Sequence, residues 1–409
     1  MAKRWNRTET WLALIVLGVG GLLLAMAGLW VYVSATTKPL HPSVQDVPSA
    51  ATSAPLPEWS GAVDRARQMV RARLAEQNLP GASVAVAAGG AIVWAEGFGW
   101  ADLEKRTPVE PQTRFRIGTA STVLTSAAAG LLLEDGRLTL DDEIQEYVPE
   151  FPNKPWPVTV RQLMGHLAGV ASDSGDEGPL FSMHCERPVE GLQVFADDAL
   201  LFEPGTRYRY SNYDWIVLSA AIEAAAHEPF LSFMQKHVFD PLGLDDTRAD
   251  SAVKPILDRA TPYFPRFASD TRYGPDPMRE IDYSCYAGSS VFLSTPSDMV
   301  RFALAISSGR LLQPATVQLL QTSQRLPSGE ETGYALGWDL EPVALAGEQA
   351  DWVGHDGMSL GGMVASLMTF PKQGIVVSVM SNTSYADTES LGLSLAQAFA
   401  EPARGPARK

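Results

Sequence analysis

Strand-like segments sit at the two ends of this chain, and helical patterning fills the space between them. Near the N-terminus, ASVAVA (82–87) and AIVWAEGFGW (91–100) flank a Gly89-Gly90 turn. Near the C-terminus, MVASLMTF (363–370) and GIVVSVMSN (374–382) flank the turn at Pro371–Gly374. Short apolar runs bounded by Gly and Pro read as hairpins. The middle, from about 140 to 260, reads as helical: TVRQLMGHLAGV, NYDWIVLSAAIEAAAHE and FLSFMQKHVFDPLGL. Further helices are expected at Val63-Ala66-Val70-Leu74, at the segment entered by Thr119, after Thr295-Pro296 and over about 387–400. One sheet drawn from both termini, with the helices inserted, is an α+β architecture: an antiparallel sheet flanked by helices with an inserted helical subdomain. A cleft between two such parts is a natural ligand site.

The N-terminus obeys a different rule. Trp11 to Val33 runs 23 residues without a charge, behind Lys3, Arg4 and Arg7. At about 1.5 Å per residue that length spans a bilayer. The basic flank predicts residues 1–10 in the cytoplasm and the remainder exported, in periplasmic or extracellular space, as a single-pass inner-membrane protein. A cleaved signal peptide is the rival, with Val33-Ser34-Ala35 as a weak cleavage site, but its apolar core is usually only about 7–15 residues. Residues 34–57, rich in Ser, Ala, Thr and Pro, read as a semi-extended tether. The folded domain is expected over 58–402, with 403–409 as a tail.

The formal net charge of -15 argues against nucleic-acid binding and for simple solubility. Cys185 and Cys285 are too few and too far apart for a zinc site. In an exported domain they form a disulfide, or else stay as two buried thiols. Six scattered histidines give no metal-binding pattern, and no glycine loop cradles phosphate, so neither metal nor cofactor is expected.

Three ordered blocks carry the chemistry. FRIGTAST (115–122) resembles the F-x-I-G-S-x-S-K block of the class C β-lactamase and penicillin-binding-protein-like serine hydrolases. PGTRYRYSNYDW (204–215) resembles their Y-x-N block, giving Tyr210, Ser211 and Asn212. GHDGMSLGG (354–362) resembles their H-x-G variant of K-T-G, giving His355, Asp356 and Gly357. VTVRQLMGHLAGV and AGSSVFLSTPSDMVRFALA are supporting stretches, so the resemblance runs from about 58 to 400 and is nearest to the mitochondrial β-lactamase-like serine protease group. It implies a serine nucleophile at a helix N-terminus, a lysine at i+3 on the same face, and a tyrosine that moves the proton. Asn212 and Gly357 are implied substrate contacts. The backbone N–H groups implied to hold an oxyanion fall on Thr119 and Met358.

The chain departs from that pattern where it matters most. Thr119 stands at the serine position and Thr122 at the lysine position. Two readings follow. In one the site is degenerate and binds a small molecule, peptide or cell-wall fragment, with Thr119 serving as a helix cap. In the other an amide or ester hydrolase uses Thr119, with Tyr210 or His355 as base; Ser121 is a further hydroxyl, two residues on and facing elsewhere. Two literal motifs are discounted. Ser251-Ala252-Val253-Lys254 is followed by Pro255, which disfavours helix at Lys254. The G-x-S-x-G at 357–361 has no histidine after it. The substrate and the oligomeric state are not legible.

Overall fold

The computed structural model describes residues 7–36, 39–172, 178–252, 256, 258–266, 271–359 and 362–400. Lys3 and Arg4, Val253-Lys254-Pro255, Leu360-Gly361 and the 403–409 tail lie outside the described residues.

The main sheet, among the described residues, contains eight strands: β1 (Ser49–Ala51), β2 (Gly81–Ala88), β3 (Ala91–Asp102), β4 (Thr107–Pro108), β5 (Asp339–Leu345), β6 (Glu348–Ser359), β7 (Met363–Phe370) and β8 (Ile375–Ser381). Their order is β1-β3-β2-β8-β7-β6-β5, with β4 paired to β3. Every pairing is antiparallel. The two ends of the chain meet at β2–β8, where Val84 lies opposite Val379.

The sheet is covered on both faces, and alternation decides which side chain goes where. Val84 and Val86 join a core with Val63, Val70 and Leu395 from α2 (Ser60–Glu76) and α6 (Thr388–Ala400). Ala85 and Ala87 join the opposite core, with Met299 and Phe302 of α5 (Pro296–Ser307). Thr295 caps α5, accepting from the Asp298 N–H, with Pro296 in the first turn. Two helices run through the larger core, α3 (Ser121–Glu134) and α4 (Asn212–Ala226), and both are buried on nearly every side. That explains their weak amphipathicity.

The inserted region is less helical than its pattern suggests. VTVRQLMGHLAGV yields one turn, Val160–Met164, closed by a Thr159–Gln162 capping box. It stops because His166 takes a left-handed conformation (φ 57°) and turns its ring into the core. Residues 230–242 form a helix interrupted by a π-helical stretch over Met234–Phe239.

The stretch read as a tether lies along the domain instead. Leu40 N–H donates to Asn78 Oδ1 at 2.7 Å, His41 Nε2 meets the Leu79 carbonyl at 3.0 Å, and β1 adds to the sheet edge. Val47 is buried. These few contacts are too irregular to leave a periodic signal. Ahead of them runs α1 (Arg7–Thr36), a 30-residue helix apolar enough to cross a membrane and exposed along its apolar stretch. Cys185 and Cys285 form a disulfide, Cα atoms 4.9 Å apart, tying the loop before α4 to the turn at Ser284–Tyr286.

Candidate active site

The turn carrying Thr119 is pinned from below. Phe115-Arg116 pairs with Leu293-Ser294. The Arg116 guanidinium is buried against Asp250 (2.6 Å) and Glu280, and Arg259 completes the cluster at 2.8 and 2.6 Å from the same two carboxylates. From Gly118 to Ala120 the chain makes one 3₁₀ turn and then enters α3. Gly118 has φ 52°, and a Cβ there would meet the Met358 carbonyl at 2.5–2.6 Å. A Cβ at Gly357 would meet the Ile117 oxygen at 1.9 Å. Motifs one and three are therefore in backbone contact, and glycine is required on both sides.

The two threonine hydroxyls are spoken for. Thr119 Oγ1 donates to the Asp356 carbonyl at 3.1 Å. It caps nothing: α3 begins without a side-chain cap, contrary to the capping role expected of it. Thr122 is fully buried and turns its hydroxyl back to the Thr119 carbonyl at 2.9 Å. Ser121 is buried in the core, its Oγ unpartnered among the described residues. His355 Nδ1 lies 2.5 Å from the Asp356 carbonyl, and a carbonyl only accepts, so Nδ1 carries the proton. Nε2 is left to accept from the Tyr334 hydroxyl at 3.2 Å. Both ring nitrogens are thus occupied, and the Asp356 carbonyl is shared by Thr119 and His355.

Tyr210 stands beside this group, its ring 6.2 Å from His355 and 4.1 Å from His166. Its hydroxyl is buried. Thr119 lies near enough to favour the phenolate, but no bond of good geometry closes. Burial, with the Asp339 and Asp214 carboxyls adding to it, pushes the phenol well above its usual range. Tyr334 is pushed up in the same way, chiefly by burial. Tyr208, half-exposed, shifts upward too, by burial and Asp339. Behind them His166 Nδ1 meets Asp214 Oδ2 at 2.9 Å, and the Trp215 indole N–H donates to His166 Nε2 at 3.3 Å. Burial lowers His166 and raises Asp214.

Thr119, Thr122, Tyr210, His355, Gly357 and Met358 thus come together. Asn212 opens α4 two residues beyond Tyr210 and accepts from Ser289 Oγ at 3.1 Å. Sequence reasoning missed Tyr334, His166 and Asp214. His166 lay inside a stretch already noted for its resemblance; Tyr334, in the segment ETGYALGW, carried no signal beyond an aromatic residue among glycines. A separate cavity of about 480 Å³, lined by Arg301, Arg310, Phe370 and Ile375 among others, lies at the far end of β7 and holds none of the motif residues.

Comparison with known proteins agrees with this fold. Residues 66–400 match the family described as Beta-lactamase. The mouse (Mus musculus) protein "Serine beta-lactamase-like protein LACTB, mitochondrial" is 25% identical, over 94% of this chain and 89% of its own. Penicillin-binding protein 4* of Bacillus subtilis (strain 168) is 26% identical, over 70% of this chain and 66% of its own. Among solved structures, the octameric penicillin-binding protein homologue from Pyrococcus abyssi superposes with a TM-score of 0.70 at 24% identity, covering 81% of this chain and 76% of that one. EstCE1, described as a hydrolase with promiscuous acyltransferase activity, gives 0.67 at 22%, covering 83% and 99%. These two superpositions speak for the fold.

Proposed function

This chain belongs to the beta-lactamase family, within the serine hydrolase superfamily, and from that premise we propose that it is a degenerate member that binds a ligand in the cleft without efficient covalent turnover. The observation that carries the reading is the fate of the Thr119 proton. In a working hydrolase the nucleophile's proton passes to a base held within hydrogen-bond reach. Here the hydroxyl donates to the Asp356 carbonyl, which is no base. Thr122 replaces the lysine and turns away to the Thr119 carbonyl. Tyr210 is driven toward its neutral form, and His355 offers no free nitrogen.

What persists is recognition. The close approach of Gly118 to the Met358 carbonyl keeps the Thr119 and Met358 backbones adjacent, as an oxyanion site needs. The rings of Tyr208 and Tyr210 each pack against Tyr334, and Tyr210 lies beside Thr119. We take the ligand to be a small molecule, peptide or cell-wall fragment presenting a carbonyl or carboxylate to that pair. The apolar helix α1 supports a single-pass anchor, with the basic residues before it on the cytoplasmic side and the domain exported.

The test is hydrolysis of an activated ester such as p-nitrophenyl acetate. Native chain, Thr119→Ala and Tyr210→Phe are expected to share one low rate, since backbone donors alone sustain only residual catalysis. A native rate that falls by roughly 10²-fold or more in Thr119→Ala would establish a threonine hydrolase instead.

A further inference from the structure

The anchor and the site meet the sheet at the same end. The seat of the N-terminal segment is Asn78-Leu79, which hold Leu40 and His41. β2 begins two residues later, at Gly81. From there the register runs straight across the sheet: Ala82 lies opposite Ser381, Ser381 opposite Val364, and Val364 opposite Met358. Three strand spacings, roughly 14 Å, separate the anchoring strand from the residue beside Thr119. The far end of β7, at Phe370, is a further six residues from Val364, roughly 20 Å.

Little slack separates the domain from α1. The helix runs to Thr36 and Leu40 is already bonded to the domain, so at most about 14 Å of chain intervenes. Val33 is itself buried, and the end of α1 touches the Thr271–Tyr273 turn. That turn belongs to the excursion between two short paired strands, Tyr263–Pro265 and Pro275–Pro277. The Tyr263 N–H bonds the Asn382 carbonyl just beyond β8, which places this ribbon on the same end of the sheet. Phe264 of the ribbon and Met358 beside the site are both large, apolar and exposed, at 40% and 55%.

We propose that this end of the sheet, bearing Phe264 and Met358, docks on the lipid surface and holds the mouth of the site against the membrane. The inference rests on the reading of α1 as a membrane anchor. A domain on a free 24-residue tether would sample every orientation; a domain whose first bonded residue follows the helix by four positions does not. The face nearest the helix end faces the bilayer, and two exposed apolar side chains give that face a reason to stay there. The chain as a whole carries a net charge of -15, so the docking rests on the apolar pair and not on a general attraction to anionic headgroups.

The experiment uses the full chain in phosphatidylcholine liposomes containing a lipid spin-labelled near the headgroup. The native cysteines are joined to each other, so one added cysteine labels cleanly. Phe264→Cys and Met358→Cys report the site end, and Ser308→Cys, exposed beside the cavity at the opposite end, is the reference. Flotation after carbonate washing reports insertion separately. The expected result is flotation of all three, with fluorophores at 264 and 358 quenched at least threefold more than the fluorophore at 308. Should Phe264→Cys fail to fold, Met358→Cys carries the reading alone. Flotation with equal quenching at both ends overturns the docking while leaving the anchor in place. Loss of the protein from the floated fraction overturns the anchor, and the docking falls with it.

Discussion

At Thr119 the decisive quantity is the proton affinity of the group its hydroxyl meets, and that group has none to offer. The Asp356 carbonyl accepts the hydroxyl's hydrogen bond but takes no proton. A lysine at 122 would supply both a base and a cation facing Tyr210 and Tyr334, lowering phenols that burial now raises. Thr119→Ser with Thr122→Lys is therefore expected to raise ester turnover roughly 10²-fold or more over the native chain, while either change alone does little, because the two groups act as a unit. An equal gain from Thr119→Ser alone would mean the base is already present. The neighbouring Asp356 side chain carries a second prediction. Burial, with Glu389 and Asp339 nearby, lifts its carboxyl to about 7. Its folded pKa lies above its unfolded one, so between about pH 4 and 7 the folded chain holds a proton that the unfolded chain releases. Stability falls as pH rises across that window, and the loss is complete above it. Asp356→Asn is expected to melt higher than the native chain at pH 8 and to match it at pH 4; parallel melting curves across the range would contradict this. The two threonine substitutions were legible because a motif names its positions. Tyr334 was not, because its importance comes from the residue it touches, 21 positions later.

Among the elements, the hairpins at both ends were legible because apolar runs and turn glycines act locally. The one-turn helix at Val160–Met164 was not: its apolar pattern continues, but the His166 ring is drawn inward to Asp214, 48 residues away. Contacts between elements set the site's geometry, and they make predictions of their own. Gly118→Ala and Gly357→Ala each drive a methyl into backbone of the other motif, where no side chain can yield. Each is expected to cost at least about 1–3 kcal/mol, the usual penalty for overpacking, read as a lowered melting temperature. Unchanged melting at both positions would show that the motifs do not touch as described. Likewise the Cys185–Cys285 bridge closes a loop of sequence separation 100. Its reduction is expected to cost about 4–5 kcal/mol in the chain-entropy model, seen as a shift in the denaturation midpoint. No shift on full reduction would mean the insert holds its place without it.

For the whole molecule, the sequence made plain that both termini build one sheet, and it showed an apolar span ahead of it. It did not show that residues 39–51 belong to the folded domain, since their bonds are to backbone and to isolated side chains. A chain beginning at residue 52 is expected to be less stable than one beginning at 39; equal melting temperatures would restore the free tether. The intact chain is expected to bind in its cleft without covalent turnover. Intact-mass spectrometry after incubation with a fluorophosphonate tests it most directly, because a competent nucleophile adds the probe once and irreversibly. The native chain is expected to keep its unmodified mass. A stoichiometric adduct on the native chain that disappears in Thr119→Ala would contradict it.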